Sequence, residues 1–532
     1  MTSRRGWCSV ARGVKSKVAA ALFSILVSPL LSASGPLSPQ EQRGRQIYRD
    51  GTSPSGGAIT AVMGDEGIEV PASAVPCAGC HGRDGRGRPE GGVTPSDLTW
   101  DTLTRPYGVT LPSGRKHQPY DDRFLKRAVT MGLDPAGNKL HVAMPRFRLS
   151  LQDMADLTAY IKRLGTASDP GLTGTTVRIS LVLPPPGPLA AMGKAVQAAL
   201  AARFADWNDH GGIYGRKVDL VSFEPPAEPA ARRSAVDAFL SMGNVFAGLA
   251  AFLLGDDASL AGFFETREVP LIGPFTVHFR ESNPLDRQVF YLLPGIEVQG
   301  RAAVRTLRGA AGGAPVHPAI VGPDDAELNA TVSAVSSACA GWAEPQTVRY
   351  PRAGFDAASL VRRLAAAAAD PVVFLGSGQE ALALLRAADL IGWHPRVAAT
   401  AAAGDGSLLQ APKTFSSRLW LALPSSPDLP GEVVRGYQAF AAAHGLPPEH
   451  LSAQLTALAG AEILGEAMKR AGRNLTRDKL IEQLETLHAF ATGYAPPVTY
   501  TPTRRLGARG AYVLKLDLTG QTMGAGEWVE GE

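Results

Sequence analysis

The sequence predicts a multidomain protein in which a smaller N-terminal unit, closing with a helix, precedes a larger α/β unit. Three observations lead there. The chain has 532 residues, beyond the size of one ordinary core, and a typical domain of about 150 residues suggests roughly three units of structure. A short polar stretch, Gly165 to Gly171 with Asp169-Pro170-Gly171 at its end, marks a linker over residues 166–175. From Val177 onward, short apolar strands alternate with amphipathic helices, the pattern of parallel βαβ units. The composition fits packed cores, with 45% hydrophobic and 19% charged residues.

Residues 1–34 differ from the rest. They carry five basic and no acidic residues, then the apolar run Val18 to Leu31, then the small residues Ser32, Ala33 and Ser34. That order predicts a secretory signal peptide cleaved near Ser34 and a periplasmic protein. A membrane anchor is the competing reading, but the run is shorter than the roughly 20 apolar residues a span needs, and Ser24, Ser28 and Pro29 interrupt it. No transmembrane anchor is expected after cleavage. Taking five positive charges from the net +4 leaves the mature chain near −1. No basic stripe with interleaved aromatics remains, so nucleic acid is not an expected partner.

Within residues 35–165 stands Cys77-Ala78-Gly79-Cys80-His81. Two thiols at this spacing can add to the two vinyl groups of one haem, and a His directly after the second Cys is then held beneath the ring as an iron ligand. A zinc half-site would need two further ligands, and no second Cys pair or close His pair occurs in this region. A redox dithiol would follow a buried strand of a βαβ unit, which is missing before Cys77. One covalently attached haem c is therefore expected, on Cys77 and Cys80, with His81 as one axial ligand. The sixth ligand must lie downstream. Met144 is the candidate, because Pro145 restricts it to extended backbone ahead of the helix expected over Ser150 to Leu164. Met131 and Met154, at helical spacing among apolar neighbours, are expected in the core, and His141 is a weaker alternative. Cys8 leaves with the leader, and Cys339, in the apolar stretch Thr331 to Trp342, is expected as a small buried hydrophobe.

On these residues the segment 35–165 resembles a class I cytochrome c, which implies an all-α fold. The helix around Glu41 to Arg49, with Gly44 and Tyr48, resembles the family's first helix, and the helix with Leu157, Tyr160 and Leu164 its packing partner, the small Gly44 letting the two cross closely. Pro95 resembles the family's proline whose carbonyl orients the axial His. One departure is plain. The 25 residues Gly51 to Val75 separate the first helix from the haem motif, where the family has only a few. Ile59 to Val62 and Gly67 to Val70, around Gly64-Asp65-Glu66, are expected to form a hairpin that shades the haem edge or meets a partner.

Residues 176–532 open with a strand over Val177 to Leu183, a helix over Met192 to Asp209 and a strand over Val218 to Phe223. The turn between that helix and strand contains Asn208, Gly211, Gly212, Ile213, Gly215 and Arg216. In that order these resemble the opening of type I periplasmic binding proteins of the branched-chain amino acid family; Glu268 to Gly273, Pro294-Gly295 and Gln299-Gly300 continue the likeness. The resemblance implies two α/β lobes joined by crossing strands, a small-molecule ligand trapped between them, and an ABC permease as a partner. Ligands of such folds lie at strand carboxyl ends, here Leu249 to Leu254, Pro274 to Val277, Asp324 to Asn329 and Gly376 to Gln379. Amino-acid binders hold the substrate carboxylate there with small hydroxyl residues and free backbone amides. This chain has Phe252 and Phe275 in those places and only Thr276 retains a hydroxyl, so with Ser377 these are the candidate ligand contacts and a more apolar or aromatic ligand is expected; the alternative is that both Phe rings merely pack between lobe and helix.

Three functions fit both parts: a single-electron carrier in a periplasmic oxidation pathway, working with redox partner proteins; the solute-binding component of an ABC importer for a small amino-acid-like or apolar ligand; and a ligand-gated redox sensor. The covalent haem favours the first. No nucleophile elbow, phosphate loop or metal-spaced His cluster suggests an enzyme. His278, His394 and His450 are expected to be solvated or locally satisfied.

Overall fold

The computed structural model describes residues 37–531 apart from 88–91, 112–113, 166–168, 243, 277, 279–286 and 313–315. The expected signal peptide, the start of the expected linker and Val277 lie outside the described residues. Among the described residues the chain divides into two compact units, one over 37–81 and 85–165, the other over 169–531 together with Gly82–Asp84.

In the first unit the elements are α1 (Pro39–Asp50), β1 (Thr60–Met63), β2 (Ile68–Pro71), α2 (Cys77–His81), α3 (Trp100–Leu103), β3 (Val109–Thr110), β4 (Lys116–His117), α4 (Asp122–Met131), β5 (Arg146–Arg148) and α5 (Leu151–Ile161). Helix α1 begins where it does because Ser38 and Glu41 form a capping box and Pro39 takes the first position. It ends at Gly51, whose left-handed φ of 64° suits a residue without Cβ. α1 and α5 cross closely: a Cβ on Gly44 would lie 1.9 Å from the Asp156 carbonyl oxygen and 2.8 Å from Tyr160 Cβ. Tyr48 and Tyr160 tilt against each other at 5.5 Å. Over that crossing Arg43 grips Asp156 with two hydrogen bonds of 2.7 and 3.0 Å.

The residues between α1 and α2 do form a hairpin, with β1 antiparallel to β2. A third strand, absent from the expectation of an all-helical unit, completes it, because β5 pairs with the other edge of β1. Met154 is buried, but Met131 is 59% exposed. That corrects its placement in the core: the buried stripe of α4 is Leu125, Ala128 and Val129, and Met131 falls off it at the helix end.

The second unit contains β6 (Thr176–Val182), α6 (Ala190–Asp209), β7 (Lys217–Phe223), α7 (Pro229–Ser241), β8 (Ala247–Leu249), α8 (Asp257–Thr266), β9 (Leu271–Ile272), β10 (Val289–Phe290), α9 (Ile296–Ala311), β11 (Ala319–Pro323), α10 (Leu328–Ala338), β12 (Gln346–Tyr350) and α11 (Ala357–Ala366). It continues with β13 (Val372–Phe374), α12 (Gly378–Leu390), β14 (Val397–Ala399), β15 (Leu419–Leu423), α13 (Gly431–His444), α14 (Leu451–Ala471), α15 (Arg477–Leu484), β16 (Gly510–Asp517) and β17 (Thr522–Glu530). One lobe has a parallel sheet in the order β10-β9-β8-β6-β7. The other has the order β12-β11-β13-β14-β15-β16-β17, in which the last two strands are antiparallel. The chain passes to the second lobe after β10, returns after β15 to place α14 in the first lobe's core, and crosses again before β16.

The glycine-rich turn after α6 is architectural. Asn208 imitates a strand, donating from Nδ2 to the Val218 carbonyl at 3.0 Å and accepting the Val218 amide at 2.8 Å. At Gly212, φ is 69° and a Cβ would lie 2.0 Å from the Arg216 carbonyl oxygen, so only glycine fits.

Candidate functional site

The first candidate site is the one-turn helix α2, whose five residues are Cys77-Ala78-Gly79-Cys80-His81. Helical winding turns both cysteines and His81 toward one region. Cys77 packs on the unit's core, Cys80 is exposed, and both are free thiols. Burial pushes the Cys77 thiol up to about 12.

His81 is 7% exposed. Its Nδ1 lies 2.9 Å from the Ser96 carbonyl oxygen. A carbonyl only accepts, so Nδ1 carries the proton and Nε2 presents its lone pair. Burial holds the ring's pKa below the ordinary histidine value, against the opposing bond to Ser96, and keeps it neutral. Nε2 is buried and has no hydrogen-bond partner among the described residues. A neutral, oriented imidazole with a desolvated free nitrogen is what an axial ligand requires. The residues therefore fit a haem. The orienting carbonyl belongs to Ser96 and not to Pro95, which corrects the assignment by resemblance: the chain presents the carbonyl one residue further on.

Beside Cys77 lies a small cavity lined wholly by apolar residues and glycine: Ile47 and Gly51 at the end of α1, Ile59 and Ala72 flanking the hairpin, Pro76 before the motif, and Phe147, Leu149 and Leu157 from β5 onward. Met144 is half-buried on the same core, its amide bonded to the His141 carbonyl at 2.9 Å. His141 is exposed and its Nδ1 accepts the Ala143 amide at 3.2 Å.

The second candidate site is formed by strand ends in the α/β unit. Phe252 and Phe275 stack at 4.5 Å with 21° between their planes. Phe252 is buried in the lobe core, whereas Phe275 is half-buried. The main chain there is occupied as well: the Phe252 amide donates to Val182, the Leu253 amide to Phe275 and the Phe275 amide to Ala251, at 2.8 to 3.0 Å. The Thr276 hydroxyl donates to Asp257 and accepts the His278 amide. Ser377 caps α12 in a capping box with Glu380, which also accepts from the Tyr350 hydroxyl at 3.0 Å.

Two titratable groups take places here that the sequence did not assign to them. His278, expected to be satisfied locally, reaches Glu327 on the opposite lobe, Nε2 to Oε2 3.4 Å. Asp257 is 6% exposed, and burial raises its pKa while the Thr276 bond lowers it. Neither has a sequence signature, since both depend on which loops meet.

The family model described as Periplasmic binding protein matches residues 176–522. The chain belongs to the periplasmic binding protein family. The model described as Cytochrome c matches residues 72–165, so this family member carries a cytochrome c domain ahead of its binding domain. No curated protein matches the sequence. Among solved structures, this periplasmic binding protein is similar to a fatty acid ABC transporter substrate-binding protein from Thermomonospora curvata, at 19% identity and TM-score 0.54, over 68% of this chain and 94% of that one. A branched-chain amino acid ABC transporter structure with bound valine from Thermus thermophilus matches at 16% identity and TM-score 0.52, over 66% and 96% of the two chains. A type 1 periplasmic binding protein from Bordetella pertussis matches at 17% and 0.53, over 66% and all of its own chain. These likenesses establish the two-lobed fold. No helix among the described residues is long and apolar enough to cross a membrane.

Proposed function

We propose that this protein is a periplasmic cytochrome with one haem c, attached through Cys77 and Cys80, which passes single electrons between redox partner proteins while its two-lobed domain binds a small molecule. The observation that carries the reading is His81: its Nδ1 is bound to the Ser96 carbonyl and its buried Nε2 has no hydrogen-bond partner among the described residues. When bound, the haem supplies the one-electron couple. This chain's Cys77 and Cys80 would anchor it, Ser96 fixes the imidazole tautomer of His81, and Met144 would supply a thioether that raises the potential. The signal peptide over residues 1–34 delivers the chain to the compartment where such haems are attached.

For the binding domain we favour an apolar or aromatic ligand over an amino acid. The amides that would hold a carboxylate are consumed in the strand extension at Phe252 and Phe275, and the Thr276 and Ser377 hydroxyls have partners. Phe275 is the ring we assign to ligand contact, because it is half-buried where Phe252 is buried. Delivery to an ABC permease is the second reading, favoured by the match over residues 176–522.

The test is direct. Protein made in a host with haem-maturation machinery should show a c-type spectrum that survives denaturation; a haem removed by acid-organic extraction would refute covalent attachment. Calorimetry with amino acids, fatty acids and aromatic acids then separates the ligand readings, since tight amino-acid binding would favour import and overturn the apolar assignment.

A further inference from the structure

The hairpin between α1 and the haem motif has a structural job that its sequence did not reveal. Its first strand is the centre of a three-stranded sheet, with β2 on one edge and β5 on the other. β5 begins two residues after Met144, and Arg146, Phe147 and Arg148 pair with Val62, Ala61 and Thr60. Side-chain links follow the same line: the Arg146 guanidinium donates to the Gly64 carbonyl at the hairpin tip at 3.4 Å, and Arg148 pairs with Glu69 across the central strand. On the buried face Ala61 is fully covered opposite Phe147, and Phe147 lines the cavity that also touches Cys77.

From this geometry we infer that the β1–β2 hairpin is a positioning element for Met144: its pairing with β5 fixes the Met144 loop, and so would determine how readily the thioether is displaced from a bound haem. The inference rests on the reading of Met144 as sixth ligand. A loop flanked on one side by a turn can swing, and apparent affinity for a competing ligand rises with the fraction of molecules in which the native one is displaced. A strand paired into a three-stranded sheet gives up that freedom. The two exits offered by sequence, shading the haem or docking a partner, are not needed to account for the insertion.

The hairpin can be removed cleanly. The Ala72 amide donates to the Ile59 carbonyl at 3.0 Å, so Thr60–Pro71 can be excised and the ends closed by an Asn-Gly turn that keeps both buried residues. In the full-length haem-loaded protein, excision should leave the haem attached but weaken the near-infrared sulfur-to-iron band, lower the midpoint potential and raise ferric affinity for imidazole about tenfold or more. The double variant Arg146→Ala, Arg148→Ala keeps the backbone pairing and the core, so it serves if the excised chain fails to load haem. It should move all three readouts the same way, by about two- to threefold in imidazole affinity. Met144→Ala should abolish the band by itself, and excision in that background should add nothing.

An unchanged band and unchanged imidazole affinity in the excised protein, or in the double variant where that is the one that loads, would overturn the positioning role and leave Met144 as ligand. An unchanged band in Met144→Ala would overturn the ligand assignment and the positioning role with it.

Discussion

At the scale of single residues, Asp156 ties the stability of the cytochrome domain to pH. Asp156 is almost fully covered, and its carboxyl is held below the ordinary aspartate value, first by the hydrogen bonds from Arg43, against burial, with Gln152 adding a bond of 2.8 Å. A carboxyl whose folded pKa is depressed contributes stability that is complete above its unfolded value, near 3.9, and is lost as pH falls through the lower folded one. Asp156→Ala should therefore lower the melting temperature of the domain at neutral pH and flatten its acid limb. Melts followed by the haem absorbance from neutral pH to about pH 3 would show it, and an acid limb parallel to the parent's would count against the pair. His81 illustrates the same economy, since one carbonyl fixes which nitrogen carries the proton.

At the scale of elements, the approach of α1 and α5 is set by one missing atom. A methyl on Gly44 would overlap the Asp156 carbonyl and Tyr160 Cβ, neither of which is a flexible side-chain end, so the helices would have to separate. Gly44→Ala should destabilise the domain by about 1 to 3 kcal/mol or more, the range for overpacking a closed interface. Denaturant titration of the haem-loaded protein checks this, and a change within about 0.5 kcal/mol would show that the crossing relaxes cheaply. In the binding domain, Asn208 does for the turn after α6 what Gly44 does for the crossing: a single side chain completes a strand edge that the backbone leaves open.

Across the binding domain, the two lobes meet at a charged contact. His278 faces Glu327 on the other lobe, with Asp257 on its own lobe and Asp325 beside Glu327. Burial raises the Glu327 carboxyl, His278 opposes that, and the neighbouring carboxylates add to it. A double-mutant cycle of His278→Ala and Glu327→Ala, read as thermal stability, should show coupling of at most about 1 kcal/mol, the range for so exposed a pair. Strictly additive effects would show that the contact adds nothing to holding the lobes.

Much of this protein was legible in residue order, because the signals involved are local. Cys77 to His81 read as a haem motif since its spacing is the chemistry itself. The strands and helices of the binding domain read from periodicity, and Gly211 to Arg216 from a turn that tolerates few other residues. Gly44 could be marked as a crossing point because the helix around Glu41 to Arg49, with Gly44 and Tyr48, resembles the first helix of class I cytochromes c. What the tertiary structure alone decided are the pairings between distant segments: that Ser96 supplies the carbonyl for His81, that Phe252 and Phe275 stack on each other, that His278 meets Glu327, and that β1 reaches β5 some 80 residues later. Nothing in a short strand such as Arg146-Phe147-Arg148 names its partner, because a ladder is satisfied by any edge with free amides and carbonyls. Only when the chain closes on itself does that edge turn out to be the insertion, and the departure from the family pattern becomes the strand that β5 pairs with.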